Sequence, residues 1–565
     1  MKLSPPQPEP PHHKMVGWYD PGQLINTGLQ VIISQIFGSR ADYRLIESFS
    51  GTEKIHDFSQ GQECWFDYIA DLGDGWNSTY AMASLVGAEQ LNVRSPDGQQ
   101  VTTPRGALLI MGGDEVYPVA SRDNYEERTL APYARAFPNN DVENPALFAI
   151  PGNHDWYDGL ISFMRLFTRP RSFGGWTTRQ KRSYFAIRLP HDWWIWALDY
   201  QLESDIDEPQ LEYFNWVADQ MPDGGKVILV SAEPDWIYGH IYHEKYRKNI
   251  EYLQTCVINQ RARARLRVAI SGDLHHYRRH EAEDGSGVQL ITAGGGGAFL
   301  LGTMGPKVDK LQFGDPAKEF TLRSAFPTRR TSERLLLRNF LFPFINPKFG
   351  LVTGTLYLVI AWIYRVPVLR QYEVLLKSRD AVSNTVVILR TLLDSPFGFG
   401  IIALVVIGFI AFTDTHKRVF RYIAGTAHAL ANLSAVFIIS AAAAAFGRDV
   451  LKFPDGSIRG LLSSAVLIFF GGYLAGAVIM GVYLYISHLV FRRHSQEAFS
   501  SLRIADYKNF VRFHVDSTGE LHIHPIGLRH VPRRWKRTAS TTGAQYEPDG
   551  ERLSPHLIEP VIRIR

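Results

Sequence analysis

The spacing of apolar residues changes character along the chain. Between residues 60 and 300, short apolar runs recur between polar stretches: ALLIM (107–111), PALFAI (145–150), WWIWAL (193–198), KVILV (226–230), LRVAI (266–270) and VQLITA (288–293). Runs of this length bounded by turn residues predict buried strands. The intervening stretches are helix-like, so an α/β domain is expected. Beyond residue 348 the pattern is different. Four long apolar runs follow, at 349–364, 395–413, 422–446 and 460–491. A helix needs roughly 20 apolar residues to cross about 30 Å of hydrocarbon. The last three runs meet that length, and the first depends on its flanks. After them, residues 506–528 alternate about a turn at Asp516–Gly519, which predicts a β-hairpin.

These patterns divide the chain into a polar, Pro-rich leader (1–20), an α/β domain (21–340), a region of about four spanning helices (341–493) and a C-terminal segment (494–565). That last segment holds the hairpin and a basic tail, RHVPRRWKR (529–537). The tail suits an anionic leaflet, or the hairpin docks on the α/β domain. No apolar export segment is visible at the start. Arg329, Arg330, Arg334, Arg338 and Lys348 precede the first run. Lys417, Arg418 and Arg421 precede the third, and Arg492 and Arg493 follow the fourth. With four spans these clusters share one side, so the α/β domain and the C-terminus are expected in the cytoplasm. The basic connection 365–394 would face outward, unless it is a surface-lying amphipathic segment. Gly472 and Gly476 form GxxxG, suited to close helix approach or to packing inside one bundle.

Composition narrows the function classes. With 45% hydrophobic residues the chain is not disordered. Two cysteines, Cys64 and Cys256, are no disulfide framework and fit a reducing compartment. A net charge of +4 over 565 residues indicates no specific nucleic-acid binding.

The chemistry lies at the strand ends. YIADLGDG carries Asp71 and Asp74, and LLIMGGDEVYP carries Asp114 and Tyr117. FAIPGNHDWYDG carries Asn153, His154 and Asp155, and VAISGDLHHYRRH carries Asp273, His275 and His276. Carboxylates and imidazoles from separate strand ends can converge on divalent or trivalent ions. One carboxylate can bridge two ions about 3.5–4 Å apart, a spacing suited to displacement at phosphorus. A single such motif is usually a turn. Four in this order, each after a buried strand, carry more weight.

GGDEVY, PGNHD and SGDLHHY resemble the motif blocks of the calcineurin-like metallophosphoesterase superfamily, over roughly residues 60–300. The resemblance implies a two-sheet α/β sandwich holding two metal ions, divalent or mixed-valence (Fe, Mn or Zn). It implies attack of metal-bound hydroxide on a phosphomonoester or phosphodiester. The first block here reads Asp71-Leu72-Gly73, without the usual histidine, and GDxxY supplies Tyr117. That variant resembles purple acid phosphatases. It implies a first site of Asp71, Asp114, Tyr117 and His275, whose phenolate favours a hard ion such as ferric iron. The second site retains Asp114 and Asn153, with Asp273 where a histidine is usual. Ala232, in VILVSAEPDW, stands where another histidine ligand is expected. Three outcomes fit Ala232: fewer protein ligands plus water, a substituting carboxylate such as the adjacent Glu233, or an impaired centre. His240 and His243 would need a loop excursion to contribute.

His154 is the catalytic candidate, as a charge-stabilising group or general acid. Asp155 is expected to orient it. Asp74 is expected to orient loop groups, or simply to shape a turn. His276, Arg278 and His280 suit a solvated loop or a phosphate contact, and AGGGGAF (293–299) suits close backbone packing. The favoured reading is a membrane-anchored phosphoesterase with a membrane-associated substrate. The alternatives are a non-catalytic ligand- or partner-binding module and, last, a transporter.

Overall fold

Alternation within single strands explains why the apolar runs are unbroken. In the computed structural model, Trp193 and Ile195 face one core together with Phe66, Ile110 and Phe148. Their neighbours Trp194 and Trp196 face another core, with Phe214 and Val217. Successive side chains leave opposite faces of a strand, so a sheet covered on both sides reads as continuous hydrophobicity. The structure describes residues 12–26, 28, 54–138, 144–200, 205–242, 248–305, 307–377, 396–413, 418–454, 456–538 and 543–565. Residues 1–11 of the expected leader and His243 lie outside them.

The elements that position the site are β1 (Cys64–Ile69), α1 (Trp76–Val86), β2 (Leu108–Gly112), β3 (Ala146–Ile150), β4 (Trp193–Ala197), β5 (Lys226–Val230), α2 (Asp235–Tyr242), β6 (Arg265–Ser271), β7 (Tyr277–Ala282) and β8 (Gln289–Ala293). Among the described residues, a nine-stranded sheet runs through β4-β5-β6-β8-β7 at its centre. Its first four of these strands are parallel, and β7 is antiparallel to β8. In the second sheet, of eleven strands, β1, β2 and β3 are parallel neighbours. The two sheets enclose the core of Phe66, Tyr68, Ile110, Ile195, Ile228 and Ile270. α1 covers the outer face of the second sheet through Trp76, Tyr80 and Met82. The protein therefore contains the expected two-sheet α/β sandwich.

The C-terminal segment is not a separate unit. Residues 503–565 cluster with 25–332, while 333–502 and 17–24 form a second unit. The hairpin strands β9 (Lys508–Val515) and β10 (Leu521–Leu528) enter the second sheet, with β9 antiparallel to β1. Phe513 stacks on its register partner Phe66 at 4.7 Å between ring centres. The expected division at 494 gives way because β9 pairs along β1 and packs its apolar residues into the same core. A chain ending at Leu502 should therefore lose the folded first unit. Limited proteolysis checks this: residues 54–332 become protease-sensitive, whereas removal of 1–11 leaves them resistant.

In the second unit, α3 (Pro347–Lys377), α4 (Pro396–Phe412), α5 (Arg418–Ala445) and α6 (Ile458–Phe491) follow in order. Among the described residues, three segments are long and apolar enough to cross a membrane: Pro347–Tyr364, Arg418–Val450 and Ile458–Phe491. The run at 395–413, expected to span outright, is helical over Pro396–Phe412, the 17 described residues that follow the undescribed 378–395. At 1.5 Å per residue that covers about 25 Å. The first run, expected to be short, continues unbroken to Lys377, so Arg365–Lys377 prolongs the helix. Residues 378–395 of the same connection lie outside the described ones. The GxxxG glycines serve packing within the chain. A Cβ on Gly472 would meet Tyr357 at 2.6 Å, and one on Gly476 would meet Thr353 at 2.5 Å. Outward-facing Trp362, Phe397, Leu404, Ile438 and Phe470 leave this unit with large exposed apolar side chains, a pattern that suits an apolar solvent.

Candidate metal centre

Three of the four motif blocks leave their strands through a backbone turn that ordinary residues avoid. Asp71, Asp114, Asp273 and His275 have φ of 61°, 52°, 68° and 44°. Left-handed backbone at non-glycine residues costs energy and gathers at functional sites. Adjacent glycines permit close approach. A Cβ on Gly152 would lie 2.1 Å from Asp114 Oδ1, and one on Gly294 would lie 2.1 Å from Asp71 Oδ2.

These turns bring the first predicted ligand set together. Tyr117 Oη lies 3.2 Å from Asp71 Oδ1, 2.9 Å from Asp114 Oδ2 and 2.9 Å from His275 Nε2. His275 Nε2 is 3.7 Å from Asp71 Oδ1. His275 Nδ1 donates to the Phe299 carbonyl at 2.8 Å, since that oxygen only accepts. The tautomer is thereby fixed with Nε2 toward the acidic group. Burial, with Lys508 adding to it, lowers the imidazole to about 3 and keeps it neutral.

The second set lines a small recess bounded by Asp71, Asp114, Asn153, Ala232, Glu233 and Asp273. Asn153 spends its amide nitrogen on Tyr157 Oη at 3.1 Å, so its carbonyl oxygen is its ligand-type atom. Asp273 accepts a hydrogen bond from the Tyr238 hydroxyl, and its backbone N–H donates to Asp71 Oδ2 at 2.9 Å. Burial first, then repulsion from Asp114 and Asp273, pushes the Asp71 carboxyl well above the carboxylate range. Burial pushes Asp273 up to about 7, with Asp114 adding to it. Buried like charges at this density call for a cation. The donors are hard oxygens plus one imidazole, so the residues present fit a dimetal group.

His154 stands beside this set. Its backbone N–H donates to Asp114 Oδ1 at 2.9 Å, and its ring lies 4.4 Å from that of Tyr117. Its orienting partner is a backbone carbonyl: Nδ1 donates to Pro118 O at 2.6 Å. This corrects the expectation for Asp155. That carboxylate is fully buried behind the loops, where it accepts from Gly152 N (2.8 Å), Glu115 N (3.1 Å) and the Tyr125 hydroxyl. It ties the GDE loop to the GNHD loop and does not orient the imidazole.

Asp74 has a definite task. It accepts from Val16 N at 2.7 Å and from Phe299 N at 3.0 Å, so it anchors the loop whose carbonyl holds His275. His276, Arg278 and His280 are buried and bonded to the carbonyls of Leu301, Thr303 and Val308. They shape the loop after β8 and are not a solvated run. Sequence reading missed Tyr238, Tyr157 and the buried Lys508, which donates to Ala298 O. Tyr238 stands six residues after Ala232, and the turn into α2 returns it to Asp273.

Residues 65–277 match the family model described as calcineurin-like phosphoesterase. No curated protein matches the chain.

Proposed function

Because residues 65–277 are a calcineurin-like phosphoesterase domain, we propose that this chain is a membrane-anchored, metal-dependent hydrolase of a phosphomonoester or phosphodiester. The observation that carries this reading is the convergence of Asp71, Asp114 and His275 on Tyr117 Oη, beside a recess lined by Asn153 and Asp273. Asp71, Asp114, Tyr117 and His275 would hold one ion, and Asp114, Asn153 and Asp273 would contribute to the other. Bound ions supply charge neutralisation at phosphorus and lower the pKa of a coordinated water. His154 is held by Pro118 O through Nδ1, and in the proposed reaction its Nε2 would donate to a phosphoryl or leaving-group oxygen. Tyr117 and Tyr157 flank its ring and limit its rotation.

The three apolar helices support a lipid-bilayer partner. Basic residues at their ends, Arg334 and Arg338 before the first and Arg492 and Arg493 after the last, support a cytoplasmic hydrolase domain. A substrate in or near the membrane follows from that location. Ala232 favours one competing reading, a binding module that keeps the fold without turnover.

The test uses the full chain in detergent. Metal content is measured together with hydrolysis of aryl phosphate mono- and diesters. Chelation should remove the ions and abolish hydrolysis, and resupply should restore both. Bound ions without turnover on any ester would favour the binding module. A chain that takes up no ion under any supply would overturn the hydrolase reading.

A further inference from the structure

The recess is chemically lopsided, and the asymmetry begins at Ala232. This residue lies just beyond β5, and its Cβ would come within 2.7 Å of a Cβ on Gly113, next to Asp114. The position therefore faces the loop that carries Asp114, yet a methyl group cannot ligate. The next residue, Glu233, lines the same recess. The chain then turns at Pro234 into α2, where Ile237 and Tyr238 donate their backbone N–H groups to the Pro234 carbonyl at 2.8 and 3.1 Å. One helical turn on, the Tyr238 hydroxyl donates to Asp273 Oδ2. Among the described residues that line this side, the ligand types are the oxygen donors Asp114, Asn153, Asp273 and Glu233. The imidazole of His275 belongs to the other side, with Tyr117.

We propose that Glu233 takes over the ligand role that Ala232 cannot fill, making the second half of the centre an oxygen-only site for a hard divalent cation, Mn²⁺ or Mg²⁺. Tyr238 is a positioning residue that holds the Asp273 carboxylate toward it. The proposal rests on the hydrolase reading above. Its basis is donor chemistry: carboxylate and carbonyl oxygens select Mg²⁺ and Mn²⁺, whereas imidazole favours zinc, copper and iron. An oxygen-only half-site beside a Tyr–His half-site also predicts two unlike ions with separable affinities.

The experiment is Mn²⁺ titration of the full chain in detergent, read by electron paramagnetic resonance and equilibrium dialysis. All variants carry His522→Ala. Asp516, Glu520 and His522 place three ligand-type atoms within 4.8 Å of one another at the hairpin turn and would add a count of their own. Glu233→Gln, nearly isosteric, should weaken one Mn²⁺ site by at least 10–100-fold, roughly what loss of a supporting group costs, and leave the other intact. Retention of that other ion shows that the variant is folded. Tyr238→Phe should weaken the same site less, and Ala232→His should turn its preference from Mn²⁺ toward Zn²⁺. If Glu233→Gln binds both ions as tightly as the parent, the proposal is wrong while the hydrolase reading stands. If the parent binds no ion at either half-site and cleaves no ester, the hydrolase reading fails first and takes the proposal with it.

Discussion

Replacing His154 with asparagine should lower ester hydrolysis by about 10²–10⁴-fold, the usual range for a positioned acid–base group, with ion content unchanged. The separation is possible because His154 makes two kinds of contact. Its backbone N–H holds Asp114 Oδ1, and asparagine keeps that bond. Its ring is fixed by Pro118 O, and asparagine loses the Nε2 that this bond aims. The loss should grow as the leaving group becomes more basic, because a protonated imidazole matters most where the departing oxygen most needs a proton. Steady-state kinetics over a series of aryl and alkyl esters checks this. A loss independent of leaving group would reassign His154 to charge stabilisation alone. Equal loss of bound ion would make it structural. Asp155→Asn should act differently, lowering stability, because its carboxylate holds two loop N–H groups and a buried phenol.

The second large effect is on stability. Arg512→Met should destabilise the first unit by about 3–5 kcal/mol, the cost of leaving a buried charge without its partner. Arg512 and Asp67 are 0% and 1% exposed. They pair through Nε–Oδ1 at 2.6 Å and Nη2–Oδ2 at 3.0 Å. The guanidinium also donates to Thr103 Oγ1 at 3.0 Å, on the strand Gln100–Pro104 of the same sheet. Burial pushes the Asp67 carboxyl up more than Arg512 beside it pulls it down. The pair therefore adds less net stability than its geometry suggests. The double variant Asp67→Leu/Arg512→Met should recover most of the loss, as apolar replacement of buried pairs often does. Denaturant unfolding of the three variants measures both numbers. Equal destabilisation by the single and double variants would show that packing around Arg512, rather than its charge, holds β9 in place.

The candidate ligands were legible because their signal is local. A strand end, a glycine and a ligand-type residue must lie within a few positions of one another for the backbone to turn and present a side chain at the strand's end. Asp71, Asp114, Asn153, Asp273 and His275 all satisfy that, and the structure brings them together. The strands were legible for a similar reason: residues buried on both faces leave an unbroken apolar run, as in WWIWA (193–197). Span lengths were less so. Hydropathy marks where apolar residues lie, while helix ends depend on the structure around them: the first run, read as short, continues as helix to Lys377.

By itself, then, the sequence determined the α/β core, the order of the ligand blocks and the apolar character of the second half. Tertiary structure alone decided three things. β9 and β10 complete a sheet begun more than 400 residues earlier, where Val511 pairs with Tyr68. Asp155 faces inward to bind loop N–H groups, although it stands next to His154. Tyr238 reaches Asp273 across 35 residues. In each case the partner is remote in the chain. Residue type states what a side chain can bond, and only the packing of distant elements states which bond it makes.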